Sequence, residues 1–195
     1  MSRVVVVNHL TLDGVMQAPS GPDEDRRDGF DAGGWAVPYQ DEVMGRVMGE
    51  HMAARAGGAL LFGRWTYESF AAYWPRQTDN PFTPVLNARQ KYVASNTLSE
   101  PLQWENSTLL SGDAVAAVAE LKAARDGDLA VLGSGRLIQS LLRADLIDEL
   151  LLTIHPVVLG AGQRLFPDGG APARLRLDDT TITTTGVIVA TYRRV

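Results

Sequence analysis

Three times along this chain a short apolar segment runs into a small or polar turn: Leu61-Phe62-Gly63-Arg64, Val93-Ala94-Ser95-Asn96 and Val131-Leu132-Gly133-Ser134-Gly135-Arg136. The first and third turns open onto helical patterns, the signature of strands joined by crossover helices in an α/β sheet. Val4 to Val7 is a continuous β-branched run, as expected of a strand covered on both faces. Helices are predicted over residues 41–56, 66–73, 114–125 and 136–143. Strands are predicted at 59–62, 91–95, 129–132 and within 148–158. Residues 180–191 read as two alternating strands meeting at Gly186 with no helix between them, so the sheet should end in an antiparallel hairpin. The stretch from Ala18 to Gly34, rich in Pro, Gly and Asp, is too long for a simple connector and reads as either a functional flap or a mobile loop. No linker, repeat or low-complexity segment interrupts residues 1–195, which are taken as one domain.

Composition narrows the chemistry. The chain has no cysteine, which excludes disulfides, thiolate nucleophiles, zinc–thiolate sites and iron–sulfur clusters. Its formal charge of -5 argues against a nucleic-acid partner, which usually calls for a basic face. The apolar runs are strand-sized, far below the roughly 20 residues needed to span a bilayer. The opening residues lack a signal-peptide pattern. The expectation is a cytoplasmic protein with no membrane partner.

In open α/β sheets, ligands bind beyond the carboxyl ends of the strands, where free N–H groups at a helix start favour phosphate. Arg64 and Arg136 each directly follow a turn glycine, placed to clamp phosphate oxygens. Together with Ser95 they point to a phosphate-bearing cofactor. The dinucleotide fingerprint is incomplete, because Ile138 stands where its third glycine belongs. Gly133-Ser134-Gly135 is not a nucleophile elbow either. The three histidines, His9, His51 and His155, fall in separate elements without metal-ligand spacing, so no metal site is expected. His51 reads as surface and His155 as a hydrogen-bonded structural residue. Asp13 suits a turn. Asp41 and Glu42 open a helix, where a carboxylate serves the free N–H groups or, facing a cleft, relays a proton.

Four segments in order resemble the dihydrofolate reductase superfamily, and within it the reductase domain of the riboflavin-biosynthesis deaminase-reductase and its stand-alone relatives. They are Thr11-Leu12-Asp13-Gly14, Gly63-Arg64-Trp65-Thr66-Tyr67-Glu68-Ser69, Leu132-Gly133-Ser134-Gly135-Arg136, and Asp148-Glu149-Leu150 running through Pro156 to Leu159-Gly160-Ala161-Gly162. The resemblance implies a three-layer α/β fold: a mixed central sheet of about eight strands, flanking helices and an antiparallel C-terminal hairpin. It also implies NADPH and, often, a homodimer. By position, Gly63, Arg64 and Thr66 would hold the pyrophosphate and 2′-phosphate. Ser95 and Asn96 would face the adenosine, and Gly133, Ser134, Gly135, Arg136 and Leu137 would form the pyrophosphate cradle. The backbone near His9, with Val15 and Met16 in the following loop, would meet the nicotinamide. Trp35 and Tyr39 would wall the substrate, Thr153 would lie near it, and Asp41 would supply the proton. The implied activity is hydride transfer to a small heterocycle, as in 5-amino-6-(5-phosphoribosylamino)uracil reductase or dihydrofolate reductase. An inactive NADP-binding sensor or interaction module is the alternative. The missing cysteines leave no deaminase zinc site.

Overall fold

The computed structural model describes residues 2–195. Eight strands, β1 (Val4–Thr11), β2 (Ala59–Gly63), β3 (Lys91–Ala94), β4 (Ser107–Leu110), β5 (Leu129–Leu132), β6 (Glu149–His155), β7 (Leu175–Ile182) and β8 (Ile188–Arg194), form one sheet in the order β4-β3-β2-β5-β1-β6-β8-β7. Pairing is parallel from β4 across to β6, and β8 is antiparallel to both β6 and β7. The helices are α1 (Glu42–Ala54), α2 (Arg64–Tyr73), α3 (Thr83–Ala88), α4 (Ala114–Ala124) and α5 (Gly135–Arg143). The mixed sheet and terminal hairpin are as the sequence predicts.

Two elements are additional. Edge strand β4 is short and only partly buried, and α3 is six residues long, so neither leaves a clear period in the sequence. The hairpin also starts earlier than predicted, because Leu175 to Asp179 is an exposed, charged stretch without strict alternation.

Alternation along the strands divides the core in two. Val4, Val6 and Leu10 of β1 join Leu150 and Leu152 of β6 against Val118 of α4 and Leu137, Ile138 and Leu141 of α5. On the other face, Val7 and Leu151 meet Val43, Val47 and Met48 of α1, while Leu60 and Phe62 meet Tyr67 of α2 and Leu86 of α3. The layers are therefore helix, sheet, helix.

The amino end of the sheet is locked by charge. Glu149 is 1% exposed and receives Arg55, which is 11% exposed, together with Arg3 and Arg193 at 3.3 Å each. Its neighbour Asp148 accepts the Val4 N–H at 2.8 Å and the Lys122 ammonium. The carboxyl end carries no such lock, and the strand-to-helix turns gather there.

Candidate active site

Two adjacent strands, β2 and β5, deliver α2 and α5 to this edge side by side. Two hydroxyl side chains stitch their turns together. The Gly63 N–H donates to Ser134 Oγ at 2.9 Å, and the Ser134 N–H donates to Thr66 Oγ1 at 3.0 Å. Gly133 and Ser134 both have left-handed backbone, φ 55° and 66°, which turns the chain sharply into α5. A side chain at Gly133 would come within 3.1 Å of Thr66, and one at Gly135 within 2.7 Å of Met16 Sδ.

The helix starts differ in a telling way. Asp41 and Asp113 cap α1 and α4 through their carboxylates, whereas neither α2 nor α5 has a side-chain cap. Uncapped N–H groups at two neighbouring helix starts are free to bond an anion. Arg64 and Arg136 sit exposed at those two starts. Arg64 donates to Thr97 Oγ1 at 3.0 Å and lies 3.7 Å from Glu68. Arg136 has no ion pair among the described residues.

Ser95 Oγ accepts the Thr97 and Leu98 N–H groups, both at 3.1 Å, and thereby shapes the turn beside Arg64. Asn96 is committed elsewhere: its amide bonds both the N–H and the carbonyl of Gly112, tying the β3 turn to the β4 turn. Leu137 is buried in the core beneath the cradle.

The long segment after β1 folds over this edge as a lid with its own core of Val15, Ala18, Phe30, Trp35 and Ala36. Val15 is therefore withdrawn from the cleft. Its side chain, expected at the nicotinamide, is fully buried in the lid, and its N–H and carbonyl both bond Thr11. Met16 does face the cradle, lying over Gly135 and taking a 3.5 Å contact from Asn8 Nδ2. Asp13 roots the lid as a turn residue. It accepts from Thr11 Oγ1 at 2.6 Å and from the Leu159 and Gly160 N–H groups, and these bonds hold its carboxyl at about 2. Farther along, the Arg27 guanidinium lies 4.4 Å above the Trp65 ring on α2 and pairs with Asp25.

Under the lid, β1 and β6 bring together residues that the sequence separates widely. His9 pairs in register with Thr153, and Thr11 with His155. His9 Nδ1 is 3.0 Å from His155 Nε2 and 2.7 Å from Thr153 Oγ1. Trp35 and Tyr39 set their rings edge-on to His155, with centroids 5.2 and 5.7 Å away. Trp35 is fixed by an indole N–H bond to the Gln17 carbonyl at 2.7 Å. Burial pushes both imidazoles down to about 4, and their mutual repulsion adds to this for His9. Both rings are neutral at pH 7. His155 is hydrogen-bonded as expected. His51 is half-buried rather than surface, held by Arg55 one turn on.

Asp41 is not placed as a proton donor. Its Oδ1 accepts the Met44 N–H at 2.8 Å as the α1 cap. Its Oδ2 accepts the Thr184 N–H at 2.7 Å, the Thr184 hydroxyl at 2.6 Å and the Thr185 N–H at 3.2 Å. The Thr184 hydroxyl bond, ahead of the Met44 cap, lowers its carboxyl to about 2. A carboxylate so occupied clamps α1 to the β7–β8 turn. Asp41→Asn is therefore expected to lower the melting temperature at pH 7. A depressed carboxyl contributes stability above its unfolded value near 3.8 and loses it as pH falls toward 2. The gap between the two proteins should close over that window, as melting curves at pH 7, 4 and 2.5 would reveal. A constant gap would remove the clamp.

Comparison with known proteins is consistent with this geometry. The model of the RibD C-terminal domain matches residues 3–189. The uncharacterized protein YyaP of Bacillus subtilis is 26% identical over 195 residues, covering 97% of this chain and 94% of that protein. Among solved structures, a Shewanella sp. PV-4 protein ascribed to riboflavin biosynthesis superposes with a TM-score of 0.66 at 24% identity, covering 100% of this chain and 99% of its own. Dihydrofolate reductase of Enterococcus faecalis, in a complex with NADP(H) and RAB-propyl, superposes with a TM-score of 0.61 at 15% identity over 98% and 96% of the two chains. The fold is dihydrofolate reductase-like.

Proposed function

The chain belongs to the RibD C-terminal domain family, and on that footing we propose that it is an NADPH-dependent reductase acting on a small heterocycle of the aminouracil type. One observation carries this reading: the two uncapped helix starts of α2 and α5, side by side at the carboxyl edge of the sheet, each followed by an exposed arginine. That arrangement suits a pyrophosphate flanked by a further phosphate. The Gly133, Ser134 and Gly135 backbone would cradle the pyrophosphate, with Arg136 beside it. Arg64, with Ser95 shaping the adjoining turn, would take the 2′-phosphate. Thr66 fixes the cradle from α2 by accepting the Ser134 N–H, which leaves its own hydroxyl proton to donate to a phosphate oxygen.

The chemistry that the bound dinucleotide supplies is a hydride. The protein's share is to orient, to exclude water and to hold the acceptor. Met16 would close over the cradle, and the lid would seal the space in front of His9 and Thr153 with Trp35 and Tyr39 as its wall. The NADP(H) complex of the E. faecalis neighbour supports the cofactor assignment by analogy of fold.

Thermal unfolding with NADPH and NADH tests the proposal directly. A ligand at 100 times its dissociation constant adds about 2.7 kcal/mol of stability. NADPH should raise the melting temperature clearly, and NADH less. No shift with either would end the cofactor assignment. Binding of NADPH without its oxidation across pterins, pyrimidines, 5-amino-6-(5-phosphoribosylamino)uracil among them, and simple carbonyls would favour a nucleotide-binding sensor over the enzyme reading.

A further inference from the structure

We propose that His9 is the substrate-anchoring donor of this protein, its neutral ring locked as the Nε2–H tautomer by His155 and Thr153 so that one N–H faces the cleft under the lid. The ligand it would take is a heterocycle presenting a carbonyl oxygen or an imine nitrogen. The assignment rests on the reductase reading and sharpens its substrate class.

Hydrogen accounting fixes the tautomer. His9 Nδ1 faces two groups at once, Thr153 Oγ1 at 2.7 Å and His155 Nε2 at 3.0 Å. His155 is fully buried, and its other nitrogen, Nδ1, has no partner. If His9 carried its proton on Nδ1, it could donate to Thr153 Oγ1, whose hydroxyl would pass to the Asn8 carbonyl at 3.3 Å, but the facing His155 Nε2 would have to be bare, and His155 would bear an N–H on Nδ1 buried with no acceptor among the described residues. Orphaned buried N–H groups are rarer than under-used acceptors. In the other arrangement, His155 donates to the single lone pair of His9 Nδ1, the Thr153 hydroxyl shares its proton between that lone pair and the Asn8 carbonyl at 3.3 Å, and only the lone pair of His155 Nδ1 is left unpaired. The His9 proton then sits on Nε2. That nitrogen has no protein partner among the described residues and is not sealed from solvent, unlike His155 Nδ1.

The surroundings agree. His9, Thr153 and His155 share one face of β1 and β6, beneath Trp35 and Tyr39, at the carboxyl edge where the cofactor cradle lies. Both rings stay neutral at pH 7, so the site offers a donor without a charge. Asp41, the carboxylate expected here, spends its oxygens on Met44, Thr184 and Thr185. A heterocycle edge that presents amino and ring N–H groups needs an acceptor such as a carboxylate. A neutral N–H instead suits an edge that presents a carbonyl oxygen or an imine nitrogen, for which a misplaced or missing donor is heavily penalised.

Two measurements decide the matter. In 15N-histidine-labelled protein without ligands at pH 7, His9 should show a protonated Nε2 and a bare Nδ1. Thr153→Val and His155→Phe should blur this into a mixture of tautomers while the protein stays folded. A His9 proton on Nδ1 in the wild-type protein would overturn the proposal, whatever the reaction. In steady-state kinetics with 5-amino-6-(5-phosphoribosylamino)uracil, His9→Ala should lose about 100-fold in kcat/KM with NADPH affinity within twofold, the usual scale for removing one placed donor. Thr153→Val and His155→Phe should lose less, mainly through KM, as positioning residues do. Unchanged kcat/KM in His9→Ala would also overturn it. If the wild-type protein binds NADPH but does not turn over this pyrimidine, the substrate reading has failed separately. Titration of the NADPH complex with uracil then decides: movement of the His9 Nε2 resonance supports the donor, and its absence overturns it.

Discussion

Replacing Glu149 with alanine is expected to destabilise the protein by about 3 kcal/mol, the low end of what breaking a buried ion pair costs. Glu149 is 1% exposed, and Arg55, its most buried partner, is 11% exposed. Removing the carboxylate leaves the Arg55 guanidinium in a dry site. It would keep the His51 carbonyl and ring Nδ1 and a 3.6 Å contact to Asp128, none of which supplies a close opposing charge. Arg3 and Arg193 are about half exposed and can turn to water, which is why the cost stays at the low end. In a chain of this size, 3 kcal/mol corresponds to roughly 6–12 °C in melting temperature. Glu149→Gln keeps an acceptor but drops the charge and should fall between the two proteins. Urea unfolding of the three would measure this, and a loss below about 1 kcal/mol for the alanine variant would mean the arginines re-pair without it. Since the cluster lies at the amino end of the sheet, NADPH affinity of the folded variant should match wild type. The Asp148-Glu149-Leu150 segment thus serves the fold, not the substrate.

What the sequence made legible was local. Gly63-Arg64 and Gly133 to Arg136 announce their turns because left-handed backbone and a helix start need particular residues within a few positions. The two strand-to-helix turns of the proposed cofactor side could therefore be placed from the chain alone. The His9–His155 contact could not, because it depends on the register of two strands about 145 residues apart. Given the pairing of Val5 with Glu149, counting four residues along each strand puts His9 opposite Thr153, and two more put Thr11 opposite His155. That offset is a tertiary fact, and histidines read one by one looked unrelated. Asp41 shows the same limit from the other side. Its capping role was local and visible, but the Thr184 and Thr185 bonds that use up its second oxygen come from a hairpin 143 residues away. Val15 read as a cleft residue because it follows the first strand. Only the packing of Phe30 and Trp35 around it reveals that the lid has a core of its own.

Arg64→Ala should raise the NADPH dissociation constant by about 10–100-fold and change that for NADH by less than about threefold. The basis is one charge-assisted contact to the 2′-phosphate, worth roughly 1.5–3 kcal/mol, where each 1.4 kcal/mol is tenfold. Arg64 is exposed, and its own ties are modest: a 3.0 Å bond to Thr97 and a loose 3.7 Å approach to Glu68 one helical turn on. Removing it should leave the fold intact, so melting temperature without ligand serves as the control. Arg136→Ala makes the contrasting case. It stands at the α5 start, next to the pyrophosphate cradle common to both dinucleotides, and should weaken NADPH and NADH alike. Calorimetric titration of both variants with both ligands gives a four-way comparison in which salt helps, because phosphate contacts of exposed arginines fade as ionic strength rises. Equal losses for NADPH and NADH in Arg64→Ala would move that arginine onto the pyrophosphate. Selective loss in Arg136→Ala instead would exchange the two roles and reverse the direction in which the dinucleotide lies across β2 and β5.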